Sequence, residues 1–126
     1  MNTKRIVIDL DNTLTLGDST LSYSEQAPNH DVIDTVRNYK KLGFDIIIYT
    51  SRNMRTYDNS VGKINAHTLP LIIGWLKQHD IPYDEVHVGK PWCGFHGFYV
   101  DDRAIRPSEF VSLSIDEIQI LIGNKK

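Results

Sequence analysis

A chain of 126 residues with 40% hydrophobic and 24% charged residues fits one domain, large enough to build a core without disulfide support. A net charge of −2 gives no basic footprint for indiscriminate nucleic-acid binding. A single cysteine, Cys93, excludes an internal disulfide, and neither a signal-peptide core nor an apolar run of membrane-spanning length is present. The expectation is a cytoplasmic protein with no nucleic-acid partner and no membrane insertion.

The first element is a strand over residues 4–9, where Ile6, Val7 and Ile8 form a β-branched run that reads as buried on both faces. It ends in Asp9 and Asp11, with Asn12 and Thr13 behind them. Two acids that close repel each other unless a cation or a shared proton relieves them. Oxygen donors with no Cys or His nearby favour a hard ion, Mg²⁺ above all. The alternative is a polar turn after a strand, since Asp and Asn are ordinary turn residues.

Residues 14–30 are rich in turn formers and read as a flap or irregular loop. A helix follows over residues 31–42, with Val32, Ile33, Val36, Tyr39 and the stem of Lys40 on one face and Gly43 at a left-handed C-cap. Residues 45–50 (D-I-I-I-Y-T) are apolar throughout, as a central parallel strand should be. The polar stretch 51–67 then reads as a long loop facing substrate.

A second helix is expected over residues 68–78, capped by Thr68 and facing inward through Leu69, Ile72, Ile73 and Leu76. Strands are expected at residues 84–88 and 97–100, the second ending in Asp101 and Asp102. The connection between them is short for a parallel crossover. Residues 107–113 read as a turn and a stub of strand, and Ser114 with Glu117 forms a capping box opening a last helix with Ile115, Ile118, Leu121 and Ile122 inward. Strands alternating with helices make the chain α/β with a mainly parallel sheet and no internal domain boundary over 1–126.

Parallel strands bring their carboxyl ends to one edge, so Asp9, Asp11, Thr50, Lys90, Asp101 and Asp102 can converge although they are far apart in sequence. Such a set suits phosphoryl transfer, where the protein must position the phosphoryl group and neutralise its charge. The motifs V-I-D-L-D-N-T-L, I-I-I-Y-T, G-K-P and G-F-Y-V-D-D, in this order, resemble the four motifs of the haloacid-dehalogenase (HAD) superfamily and span most of the chain. Among its members the sequence is similar to small stand-alone proteins, some associated with bacterial capsule or surface-polysaccharide biosynthesis.

The resemblance implies a three-layer Rossmann-like fold with helices on both faces of the sheet. It implies that Asp9 is a nucleophile forming an aspartyl-phosphate and that Asp11 is a general acid and base. It further implies Mg²⁺ between Asp9, the main-chain carbonyl of Asp11 and Asp101, with Asp102 beside them. Thr50 and Lys90 would bind phosphoryl oxygens, with Ser51 and Lys63 as the respective competitors. Asn12, Thr13, Ser51, Arg52, Arg55 and Lys63 are the candidate substrate contacts, although Arg52 and Arg55 could equally be loop solubilisers.

Neither the stretch after the first motif nor that after the second is long enough for a folded cap, so the resemblance is to the capless branch. Its open site suits a large substrate or a second subunit acting as lid. The expected activity is Mg²⁺-dependent hydrolysis of a phosphate monoester, either a small molecule or a polysaccharide precursor. Phosphotransfer on the same residues is the near alternative. A receiver-type signalling domain ranks behind it, because Thr50 stands where the receiver's phospho-accepting Asp belongs. An inactive binding module of the same fold is disfavoured because the nucleophile and acids are all present.

Overall fold

The computed structural model describes residues 1–124. The chain divides into two compact units, Met1–Trp92 and Cys93–Lys126.

The first unit is an α/β unit around a parallel sheet of three strands among the described residues, in the order β1 (Arg5–Ile8), β2 (Asp45–Tyr49), β3 (Glu85–His87). In the central strand Ile46, Ile47 and Ile48 are all buried. Successive strand residues point to opposite faces, so both faces of β2 are covered. β1 is less enclosed than its composition predicts. Ile8 is buried but Val7 is exposed, as befits a strand at the edge of this sheet rather than inside it.

Helix α1 (His30–Lys41) buries Val32, Ile33, Val36 and Tyr39, the stripe its spacing predicts. Asn29 caps its start by accepting the Val32 N–H. At its end Gly43 (φ 93°) and Phe44 donate to the carbonyls of Lys40 and Tyr39, a Schellman arrangement that needs the left-handed residue.

The stretch 51–67 is not loop throughout. Turns lead to Ser60, whose hydroxyl accepts the Lys63 N–H and opens α2 (Val61–His67). The helix's one buried residue, Ile64, is too little to produce the periodicity that would announce it. Helix α3 (Leu69–Gln78) buries Ile72, Trp75 and Leu76. Its Thr68 makes no side-chain cap and instead donates its hydroxyl to Asn53 Oδ1 at 2.7 Å.

Residues 14–30 form a structured flap. An isolated antiparallel bridge joins Thr15 to Pro28, and a 3-10 turn occupies Tyr23–Glu25. The Gln26 side chain, itself buried, accepts from the Asp18 N–H and donates to the carbonyls of Asp18 and Leu21. The Trp75 indole donates to the Gln26 carbonyl at 2.9 Å, which ties the flap to α3.

The second unit holds α4 (Pro107–Ser112) and α5 (Ile115–Leu121). The turn and strand stub expected at 107–113 is helix instead. Pro107 has the dihedral a first turn wants, and the Glu109 carboxylate accepts the Arg106 N–H. The capping box of Ser114 and Glu117 forms as its spacing predicts. No residue of α5 is buried, however, so its isoleucines do not form the inward face that was expected. Residues 97–100 are not a strand: Phe98, Tyr99 and Val100 are exposed. Gly97 lies so close to the Cys93 carbonyl that a β-carbon would not fit, and the chain turns there rather than extending. Strand propensity is expressed only where a neighbouring backbone completes the ladder.

Candidate active site

Asp9 is the residue after β1, and Thr50 is the residue after β2. The parallel register that pairs Ile8 with Ile48 sets them on the same edge of the sheet. Beyond Asp9 the chain makes a tight turn in which the Leu10 carbonyl accepts the N–H groups of Leu14 (2.9 Å) and Thr15 (3.1 Å). Asn12 takes a left-handed conformation (φ 61°), and its N–H is received by the Thr15 hydroxyl. Asn12 and Thr13 are thus parts of the turn that presents Asp11, with Asn12 exposed and Thr13 half-buried.

Thr50 is buried, and all three of its polar groups are used. Its N–H donates to the His87 carbonyl, its carbonyl accepts the Lys90 N–H at 3.1 Å, and its hydroxyl oxygen accepts the Arg52 N–H at 3.0 Å. The hydroxyl still has its own proton to donate. Through the Lys90 N–H the main chain of β2 seats Lys90, whose ammonium stands 3.8 Å from Asp9 Oδ1. Of the two candidate lysines, then, Lys90 stands beside Asp9, whereas Lys63 lies exposed in α2. Burial raises the Asp9 pKa above its ordinary value, and the Lys90 charge works against that rise.

Arg52 is not a loop solubiliser. Its side chain is only 2% exposed, and its fork closes on Asp11: Nη2 donates to Oδ1 at 2.7 Å and Nε to Oδ2 at 3.1 Å. The Tyr23 ring of the flap lies 4.1 Å from the guanidinium carbon. Arg55 is exposed and lies 5.9 Å from the Trp92 ring, while Ser51 is half-buried with its carbonyl accepting the Met54 N–H. Asp101 and Asp102 belong to the second unit, where Asp101 Oδ1 accepts the Arg103 N–H at 2.8 Å.

Sequence reasoning had missed Tyr23, Thr15, Gln26 and Trp75. Only Gln26 and Trp75 carried any signal, as a polar residue inside a turn-rich flap and an indole needing an acceptor.

Among the described residues no three His, Cys, Asp or Glu side chains cluster to hold a metal. The donor chemistry of the first unit nonetheless suits Mg²⁺, which takes one or two protein carboxylates and completes its shell with waters and phosphate oxygens. The Asp9 carboxylate is such a donor. Both Asp11 carboxylate oxygens are engaged by Arg52, so a contribution from Asp11 would come through its carbonyl.

No family model and no curated protein matches the chain. Among solved structures, a Vibrio cholerae protein crystallised as an MCSG target is similar with a TM-score of 0.93 and 54% identity, the match covering 98% of this chain and 100% of that one. With more than half of the residues shared along essentially the full length of both, this chain belongs to the same family as the Vibrio cholerae protein.

Proposed function

We propose that the protein is a Mg²⁺-dependent phosphohydrolase with a HAD-like fold, cleaving phosphate monoesters through an aspartyl-phosphate on Asp9. The observation that carries this reading is the Asp9 carboxylate at a sheet edge, 3.8 Å from the Lys90 ammonium, two residues before an Asp11 oriented by a buried arginine fork.

An Asp9 oxygen attacks phosphorus and the bond to the ester oxygen breaks. Lys90 and the Thr50 hydroxyl offset the charge on the phosphoryl oxygens. Asp11, carrying a proton on a lone pair that the Arg52 fork leaves open, gives it to the departing alkoxide and then takes one back from the water that attacks the phosphoryl group, which regenerates the Asp9 carboxylate. Arg52 keeps the Asp11 carboxylate in one plane for both transfers. Mg²⁺, held by Asp9 and the Asp11 carbonyl, would add positive charge at the transferring group.

The motif resemblance favours a sugar phosphate of surface-polysaccharide synthesis as substrate, and Arg55 with Trp92 would line its approach. No described helix is long and apolar enough to cross a membrane, in keeping with a cytoplasmic enzyme acting on a water-soluble ester. A second subunit covering the rim would complete the enclosure that the short flap leaves open. Transfer to an acceptor other than water uses the same residues and would appear as a new ester when alcohols are added.

The test is a panel of phosphate esters with Mg²⁺, comparing wild type with Asp9→Asn. Loss of about 10³-fold or more in kcat is expected for the variant. Full turnover by Asp9→Asn would overturn the proposal.

A further inference from the structure

Tyr23 stands out among the flap residues. It is a half-exposed aromatic on a 3-10 turn that buries no residue, so packing into the core does not explain its position. Its ring covers the guanidinium of Arg52, 4.1 Å from its centroid, while the edge of the same guanidinium grips the Asp11 carboxylate with two N–H groups. A buried arginine has several rotamers within reach unless something fills the space beside it.

The flap that carries Tyr23 is laced rather than loose. Gln26 fastens Asp18 and Leu21, the Leu16 N–H donates to the Ala27 carbonyl, and Trp75 fastens Gln26 to α3. These bonds brace the flap from within and against α3.

We propose that Tyr23 is a positioning residue, acting from the flap to hold the Arg52 fork on Asp11. This rests on the phosphohydrolase reading for its effect on rate, but its structural half does not. The ring face is what matters, since the guanidinium is attracted by the π-cloud rather than by the phenol hydroxyl. A ring serving instead as a platform for substrate would act on binding.

The test pairs kinetics with a spectroscopic readout. With the best ester of the panel, Tyr23→Ala lowers kcat by about tenfold and leaves KM within about twofold of wild type. Tyr23→Phe restores kcat. A rise in KM at unchanged kcat would make Tyr23 a substrate contact and overturn the proposal, as would a Tyr23→Phe protein no better than Tyr23→Ala. Independently, the Arg52 Nε–H, bonded to Asp11, should exchange slowly with water in ¹⁵N spectra, exchange several-fold faster in Tyr23→Ala and stay slow in Tyr23→Phe. An exchange rate that ignores Tyr23→Ala overturns the brace whatever the protein hydrolyses. Faster exchange in Tyr23→Ala, in a protein that turns over no ester, supports the brace and removes the phosphohydrolase reading alone.

Discussion

Lys90 holds its ammonium 3.8 Å from the Asp9 carboxylate, a distance at which it eases the burial of that acid without fully offsetting it. The charged Asp9 is therefore held at some expense to the fold, the relation expected of the active carboxylate proposed above.

The sign of that tension is measurable in metal-free protein. Burial raises the Asp9 pKa in the folded state, so the folded state binds the proton more tightly than the unfolded one, and stability declines as pH rises from the ordinary value of 3.8 through the raised folded pKa. Asp9→Asn removes the charge. In chelator at pH 7 it should melt above wild type, with the difference shrinking as pH falls towards 3.8. Thermal melts across pH check this, and a variant less stable than wild type at pH 7 would contradict it.

Asp84 works in the opposite sense. Its carboxylate accepts from the Lys40 ammonium at 2.8 Å and from the Ile46 N–H at 2.7 Å, and these bonds, the lysine's first, hold its pKa below the ordinary value. Its contribution is present above the unfolded pKa and is lost as pH falls through the lowered folded one. Asp84→Ala should lower stability at neutral pH by about 1 kcal/mol through the lost Ile46 bond. Its deficit against wild type should fade in acid, as urea melts at several pH values would report.

Trp75→Phe keeps an aromatic ring in the core but deletes the indole donor to the Gln26 carbonyl. A loss of about 2 kcal/mol in global stability is expected from the smaller ring and the lost bond. Hydrogen exchange in residues 16–27 should accelerate more than in α1, whose packing is independent of that bond. Uniform acceleration across both would argue that the flap is not anchored there.

Gly17 has φ 74°, and a β-carbon placed on it would collide with the Asn12 side chain. Gly17→Ala therefore strains the backbone and pushes on the turn that carries Asp11, with an expected loss of about 1–2 kcal/mol. Turnover should fall further than stability alone predicts at a temperature where the variant remains folded. Circular dichroism alongside the ester assay separates the two effects.

Much of this arrangement is legible in the sequence because it is local. The β-branched runs ending in Asp9 and Thr50 announce strands, and the glycine after Leu42 announces the end of α1. What escapes is whatever depends on neighbours across the fold. The Arg52 fork on Asp11 joins two turns that no periodicity connects, and Tyr23 reads as one more polar-loop aromatic until its ring is seen over the guanidinium. Residues 97–100 mislead in the opposite direction, since G-F-Y-V has the composition of a strand but Gly97 lies against the Cys93 carbonyl, where no β-carbon would fit. Pro107 and Glu109 did carry the signature of a helix start, in a segment too short for the pattern to repeat.

The amide of Lys90 is fastened to the carbonyl of Thr50, three residues after the last registered residue of β3 and with a left-handed Gly89 between. Chain length is thereby frozen after β3. Adding a residue between His87 and Lys90 would swing the ammonium off its acid. Relatives of this protein should keep strict count between that strand and the lysine.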